Sequence, residues 1–226
     1  MNQQENKRIW IVRHGMRIDF ATPSWTESAE NPYNPPLAPE GLLQARETAV
    51  RFEREDLDAI FVSPFLRTLQ TARFIAEKKG LPLLVEPGFS EFLKEEEFTH
   101  SPVESDLEQL RRDFPEIDPT HGSALSPRYP ESVQELDRRI DSALDSIINS
   151  SLRNILIVSH GSPIKSIYRY FTGAVPGTYQ PMSSVTMFDF CEGSWNLAID
   201  GDSSHLSIAD TTGKAFYAEL EKNRRP

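Results

Sequence analysis

Four short apolar runs constrain this chain more than any other feature. Ile9–Val12, Asp58–Val62 (DAIFV), Leu83–Val85 and Asn154–Val158 (NILIV) are three to five residues long and do not alternate with polar positions. They are too short for helices, and their unbroken apolar character fits strands buried on both faces. Helical spacing fills the gaps between them. Pro39 to Glu55 places Leu42, Ala45, Ala49 and Phe52 on one stripe. A second helix opens at Ser63-Pro64, with Ser63 as N-cap and Pro64 at the first helical position, and stops at Gly80. A third runs from Glu131 to about Ser151 with Val133, Leu136, Ile140, Leu144 and Ile147 on its apolar face, and a fourth runs from Gly161 to about Phe171. Strands joined by helices of crossover length predict an α/β fold. The expected architecture is three-layer α/β/α, with a mostly parallel central sheet covered by helices on both faces.

The rest of the chain decorates that frame. Val185–Phe190 and Trp195–Ile199 predict a hairpin around Glu192-Gly193-Ser194. Residues 16–38 form a long loop rich in Pro, Asn and Ser, and its Phe20, Trp25 and Tyr33 either line an entrance or anchor the loop. Residues 86–130 are irregular, with an acidic run at 95–97 and one helix near 103–113. They read as an insertion at the sheet's edge near the active site. No linker or repeat divides the chain, so residues 1–226 are expected to form a single domain with its core over about 8–200.

Charge narrows the function classes. With 34 acidic against 24 basic residues the net charge is −10, which argues against a nucleic-acid partner. The single cysteine, Cys191, forms no intrachain disulfide and fits a reducing compartment. The polar N-terminus lacks a signal-peptide core, and no apolar run approaches the roughly 18 residues of a membrane span. These features predict a soluble cytoplasmic protein.

The chemistry-bearing residues cluster where strands end. Arg13-His14-Gly15 follows the first strand, Arg67 lies in the first turn of the helix after the second, and Ser159-His160-Gly161 follows the apolar 154–158 run. In open α/β sheets ligands bind outside the carboxyl ends of the strands, where helix N-termini favour anions. Two arginines and two histidines at that edge make a phosphate pocket, because the planar guanidinium forms paired charge-assisted bonds with phosphate oxygens. A neutral imidazole is a competent nucleophile, and neighbouring arginines help to keep it neutral. A carboxylic acid must protonate the leaving oxygen. Glu91 is the first candidate, with Glu86 and Glu95–Glu97 as competitors.

Other chemistries lack their residues. A cysteine phosphatase needs an arginine six positions after its cysteine, and position 197 is Leu197. Cys191 is expected to be a packed strand residue. Neither phosphate-loop nor dinucleotide glycine motifs occur, and no zinc-ligand pairs are evident from spacing. His100, His121 and His205 show no ligand spacing and are expected to be solvated or locally bonded.

In sum these motifs resemble one family. Arg13-His14-Gly15, Pro36-Leu37 with Gly41 and Gln44-Ala45, Ser63-Pro64 with Arg67 and Gln70-Thr71-Ala72, and Ser159-His160-Gly161 stand in the order of the histidine phosphatase (phosphoglycerate mutase-like) superfamily, over residues 8 to 172. Arg17 and Asp19 after the first motif, and Val85-Glu86-Pro87-Gly88 ahead of Glu91, are similar to the suppressor-of-T-cell-signalling and ecdysteroid-phosphate phosphatase domains. The resemblance implies His14 as nucleophile, with Arg13, Arg67 and His160 on the phosphoryl oxygens. It implies substrate contacts from Arg17, Gly15 and Gly161, and Glu91 as acid and then base. The implied activity is metal-independent phosphomonoester hydrolysis through a phosphohistidine, with no cofactor and a small phosphorylated substrate or phosphopeptide as partner. The pattern breaks at Met16, where many members carry Glu, and at Arg17, where the mutase branch carries Ser. Alternatives are phosphoglycerate mutase-type transfer, or a phosphate-binding scaffold that retains the fold without turnover.

Overall fold

The computed structural model describes residues 6–98, 107–123, 125–177 and 179–208. His100 therefore lies outside the described residues. Six strands form one sheet: β1 (Arg8–Arg13), β2 (Ala59–Val62), β3 (Leu83–Val85), β4 (Asn154–Ser159), β5 (Val185–Cys191) and β6 (Ser194–Asp202). Their order is β3-β2-β4-β1-β5-β6. The first four are mutually parallel, and β5 and β6 add an antiparallel edge. The mostly parallel sheet expected from the sequence is the one observed.

Period-two geometry sorts each apolar run between two cores. Trp10, Val12, Ile60, Val62, Leu156 and Val158 face one side, where they meet Ala49 and Phe52 of α2 (Pro39–Arg51) and Leu69, Ala72 and Ile75 of α3 (Leu66–Lys79). Ile9, Ile11, Ala59, Phe61, Ile155 and Ile157 face the other, against α5 (Val133–Ile148) and α6 (Gly161–Thr172). This explains why the runs show no polar alternation: both faces are covered. No described helix is long and apolar enough to cross a membrane.

Several boundaries differ from expectation for identifiable reasons. Ser63 does not cap α3. Pro64 and Phe65 stay outside the helix, Phe65 is the N-cap residue, and the Leu66 amide donates instead to Asn34 Oδ1 from the 16–38 segment at 2.9 Å. Helix α5 starts at Val133 rather than Glu131 because Ser132 and Glu135 form a capping box; Val133 is then exposed rather than on the apolar face. Residues 16–38 are partly regular, with the single turn α1 (Ile18–Ala21) and a 3-10 turn at Pro23–Glu27. In the 86–130 segment, α4 (Leu107–Asp113) and its sequel contribute Leu110, Phe114 and Ile117 to the core, and Ile117 bridges to Leu83 at the sheet's edge. Cys191 ends β5 exposed rather than packed. The hairpin turn has Glu192 at φ 53° and Gly193 at φ 80°, the left-handed pair that a two-residue turn matched to strand twist requires.

One contact sets how α2 meets the turn after β1. A Cβ on Gly41 would stand 2.2 Å from the Met16 carbonyl oxygen and 2.8 Å from its nitrogen. With no side chain there, the helix start presses onto backbone, Ala38 N–H donates to Met16 O at 2.8 Å and Met16 N–H donates to Gln44 Oε1 at 2.9 Å. Gly41→Ala should cost about 1–3 kcal/mol by overpacking against backbone that cannot yield. Gly122→Ala meets nothing within 4 Å and should stay within about 0.5 kcal/mol of the parent. Urea midpoints of the two variants test the contrast, and equal midpoints would disprove the close approach.

Candidate active site

The pairing of β1 with β4 builds the centre of the site. Arg13 lies opposite Ser159, so His14 and His160 leave the sheet side by side. His14 N–H donates to Ser159 O at 3.0 Å, and the imidazole centroids are 5.3 Å apart. Both rings are buried. His14 Nδ1 lies 2.8 Å from Gly15 O. A carbonyl only accepts, so Nδ1 holds the proton and the lone pair sits on Nε2. His160 Nε2 lies 2.7 Å from Ser63 Oγ, and its Nδ1 lies 3.5 Å from Glu91 Oε2.

Three arginines surround these rings, each held differently. Arg67, in the first turn of α3, is 1% exposed, with its guanidinium over the Phe65 ring and Nη2 3.4 Å from Glu91 Oε2. Its Nε and Nη1 are buried without a hydrogen-bond partner among the described residues. Arg13 is anchored through Nη1, which donates to Gln180 O at 2.6 Å and Tyr179 Oη at 2.9 Å. Arg17 donates Nε and Nη2 to Asp19, at 3.0 and 2.5 Å, and stacks over Phe20. Of the carboxylates that sequence reasoning left open, Glu91 is the one the fold brings to the histidines. Glu86 is turned away, with Oε1 accepting from Gly88 N–H and Ser123 Oγ, both at 2.7 Å. Glu95 and Glu96 are exposed, and Glu97 pairs with Lys94.

The two glycines differ from each other. The Gly15 amide donates to Thr71 Oγ1 at 3.1 Å, so it braces the turn, while Gly161 opens α6 behind the N-cap residue His160. Among the loop aromatics, Phe20 packs with Met16, Ala38 and Met182, and Tyr33 packs edge-on to Phe98; both anchor the 16–38 segment. Trp25 is half-buried in its 3-10 turn. Ser63, Thr71 and Gln180 escaped notice as site residues. Ser63 and Thr71 belong to the motif around Arg67, but their contacts are made across the fold. Gln180 had no local signal, because it acts through its backbone carbonyl.

Burial and positive charge set the electrostatics. The His14 pKa is held well below its ordinary value of 6.5, first by burial, then by Arg67 and Arg13. His160 is lowered likewise, by burial, Arg67 and the neighbouring His14. Burial and Arg17 push Arg67 down to about 9, so its guanidinium still carries charge at neutral pH. Spacing hid one possibility: His14, Glu91 and His160 offer metal-ligand atoms all within 4.8 Å of one another. The donor types would suit a transition metal. The same atoms lie in the field of Arg13, Arg17 and Arg67, which opposes a cation and favours an anion.

The family model described as histidine phosphatase superfamily (branch 1) matches residues 9–202. A human protein, "Ubiquitin-associated and SH3 domain-containing protein A", is 28% identical over 84% of this chain; the chain spans 36% of that protein's length. "Probable phosphoglycerate mutase GpmB" of Yersinia enterocolitica is 28% identical, covering 89% of this chain and 95% of its own. The solved ecdysone phosphate phosphatase of Bombix mori superposes with a TM-score of 0.62 at 16% identity, covering 86% of this chain and 93% of its own. At that identity the likeness speaks for the fold.

Imidazoles held neutral by burial weaken the fold in acid. Below the ordinary histidine value of 6.5 the unfolded chain binds protons that folded His14 and His160 refuse, so stability falls as pH drops towards their folded values. Each contributes a slope of up to about 1.4 kcal/mol per pH unit in that window. Urea unfolding from pH 7 to pH 5 should show stability declining with falling pH, and His160→Gln should flatten the slope. A stability that rises on acidification would contradict the burial of the neutral rings.

Proposed function

The chain belongs to the histidine phosphatase superfamily, and we propose from that premise that it hydrolyses phosphomonoesters through a phosphohistidine at His14. One observation carries the reading: a buried imidazole with its lone pair on Nε2 stands beside a second histidine, a carboxylate and a buried guanidinium with unused donors. Arg67, Arg13 and His160 hold the phosphoryl oxygens, and Arg17 adds charge at the rim. The Nε2 lone pair of His14 attacks phosphorus while the bond to the ester oxygen breaks. Protonated Glu91 gives its proton to that oxygen, so the product leaves as a neutral alcohol. Glu91, now a carboxylate, takes a proton from water. The hydroxide bonds to phosphorus, the nitrogen–phosphorus bond returns its electron pair to Nε2, and inorganic phosphate departs. Charge stabilisation on the equatorial oxygens supplies most of the rate in such transfers.

The nucleophile, the acid and the charge this chemistry needs all come from the chain's own residues, so the reading calls for no metal or cofactor. In this reading the Ser63 hydroxyl, 2.7 Å from His160 Nε2, donates to that nitrogen, and the His160 proton then sits on Nδ1, on the side of Glu91. A phosphorylated small molecule or phosphopeptide is the partner class. The single cysteine fits a cytoplasmic setting. The Yersinia relative's name raises phosphotransfer within a phosphoglycerate as a second reading. That reading requires activity to depend on a bisphosphate primer; hydrolysis does not.

Brief exposure to a labelled aryl phosphate should trap an acid-labile, base-stable phosphoryl-enzyme that is absent from His14→Ala. Label persisting in that variant would move the nucleophile elsewhere. Arg67→Ala should lower kcat/KM by about 10²–10³, as loss of a preorganised charge donor does.

A further inference from the structure

Glu91 sits in a stretch without regular secondary structure. Only the 3-10 turn Pro87–Phe89 precedes it, and residues 90–94 form neither helix nor strand. An acid must nonetheless be held within a fraction of an ångström of its target to transfer a proton. The backbone of this stretch is held by a buried ion pair from another part of the chain. Arg139 of α5 donates Nη1 to the carbonyls of Gly88 at 2.8 Å and Ser90 at 3.1 Å, and Nη2 to the carbonyl of Glu91 at 3.3 Å. Its Nε and Nη2 also grip Glu131, at 3.1 and 2.5 Å. Glu131 Oε1 accepts from Leu93 N–H at 3.0 Å, and the Glu131 amide donates to Leu93 O at 3.0 Å. The backbone on both sides of the Glu91 side chain is thus tied to one pair, whose side chains are 7% and 1% exposed.

We propose that Arg139 and Glu131 are positioning residues that set the register of segment 88–93 and so hold the Glu91 carboxyl group over the leaving oxygen. The proposal rests on the role given to Glu91 above. The arrangement suits that task better than stabilisation alone. A buried charge pair is often no more stabilising than apolar packing, whereas a planar fork that spans several carbonyls fixes a backbone path. Neither residue touches the reacting atoms, so neither is catalytic.

The readout is the ratio of kcat/KM for 2,4-dinitrophenyl phosphate, whose leaving group needs little protonation, to kcat/KM for an alkyl phosphate, whose leaving group needs it fully. A partly unfolded preparation lowers both values equally and leaves the ratio unchanged. Arg139→Lys retains charge opposite Glu131 but loses the fork, and should raise the ratio by about 10², within the contribution expected of a positioned acid. Glu131→Gln retains the acceptor for Leu93 and should raise it in the same direction. Adding Arg139→Lys to Glu91→Gln should change the ratio no further, since the two act through one group. An unchanged ratio in both single variants, or failure of both to fold, would reduce the pair to a stabilising contact and overturn the proposal. Glu91→Gln alone separates the two readings. If that variant leaves the ratio unchanged, the acid assignment itself fails. If it raises the ratio while Arg139→Lys and Glu131→Gln do not, only the positioning role fails.

Discussion

Strands β1 and β4 run parallel and in register, with Arg13 against Ser159, and each chain leaves the sheet into a histidine. Parallel pairing sends both carboxyl ends the same way, so residues about 145 positions apart meet without any long side chain reaching across. An antiparallel pair would have sent the two histidines to opposite edges. The covered faces of the sheet follow from the same choice. Crossover connections lay α2 and α3 on one side and α5 and α6 on the other, and Phe65 at the start of α3 packs edge-on against the His160 ring.

Burial makes the site and also strains it. His14 and His160 stay neutral because the protein excludes water and places arginines beside them. The same exclusion leaves Arg67 with charge and unused donors inside the protein. A guanidinium without enough acceptors is costly, and the oxygens of a phosphoryl group would satisfy it in the function proposed above. The partial pairing with Glu91 at 3.4 Å fits this picture, since one carboxylate answers only part of the guanidinium's hydrogen-bonding capacity. Buried charge of this kind is often no more stabilising than apolar packing would be.

Much of this was legible in the sequence because the strands and their terminal motifs are local. The run Asn154–Val158 and the tripeptide after it fix both a buried strand and the histidine at its end. Gly41 could be singled out as part of a motif, but its reason is a distance to Met16 that appears only in three dimensions. Ser63 misled: its place before a proline suggests a helix cap, yet Pro64 and Phe65 stay outside the helix and the Ser63 hydroxyl contacts His160 instead. Cys191 misled in the same way, since a strand residue at the end of an edge hairpin need not be covered. The metal-capable set of His14, Glu91 and His160 has no short spacing at all, because the two histidines follow different strands and Glu91 lies in the irregular loop after a third.

Glu91 shows where sequence reasoning stops. Periodicity assigns strands and helices, and in α/β sheets the chemistry gathers at strand ends, but a residue in an irregular loop has no period to place it. Its position is set by what the loop is tied to. The tie here is a guanidinium on a helix some 48 residues further on, whose donors are spent on backbone carbonyls that any sequence would offer. Backbone acceptors leave no trace in residue identity. Arg139 therefore reads as one more charged position on α5, and only its burial on a helix otherwise amphipathic marks it out. A buried arginine whose partners are mainly carbonyls of one loop is best understood through the residue that loop carries, and in this chain that residue is Glu91.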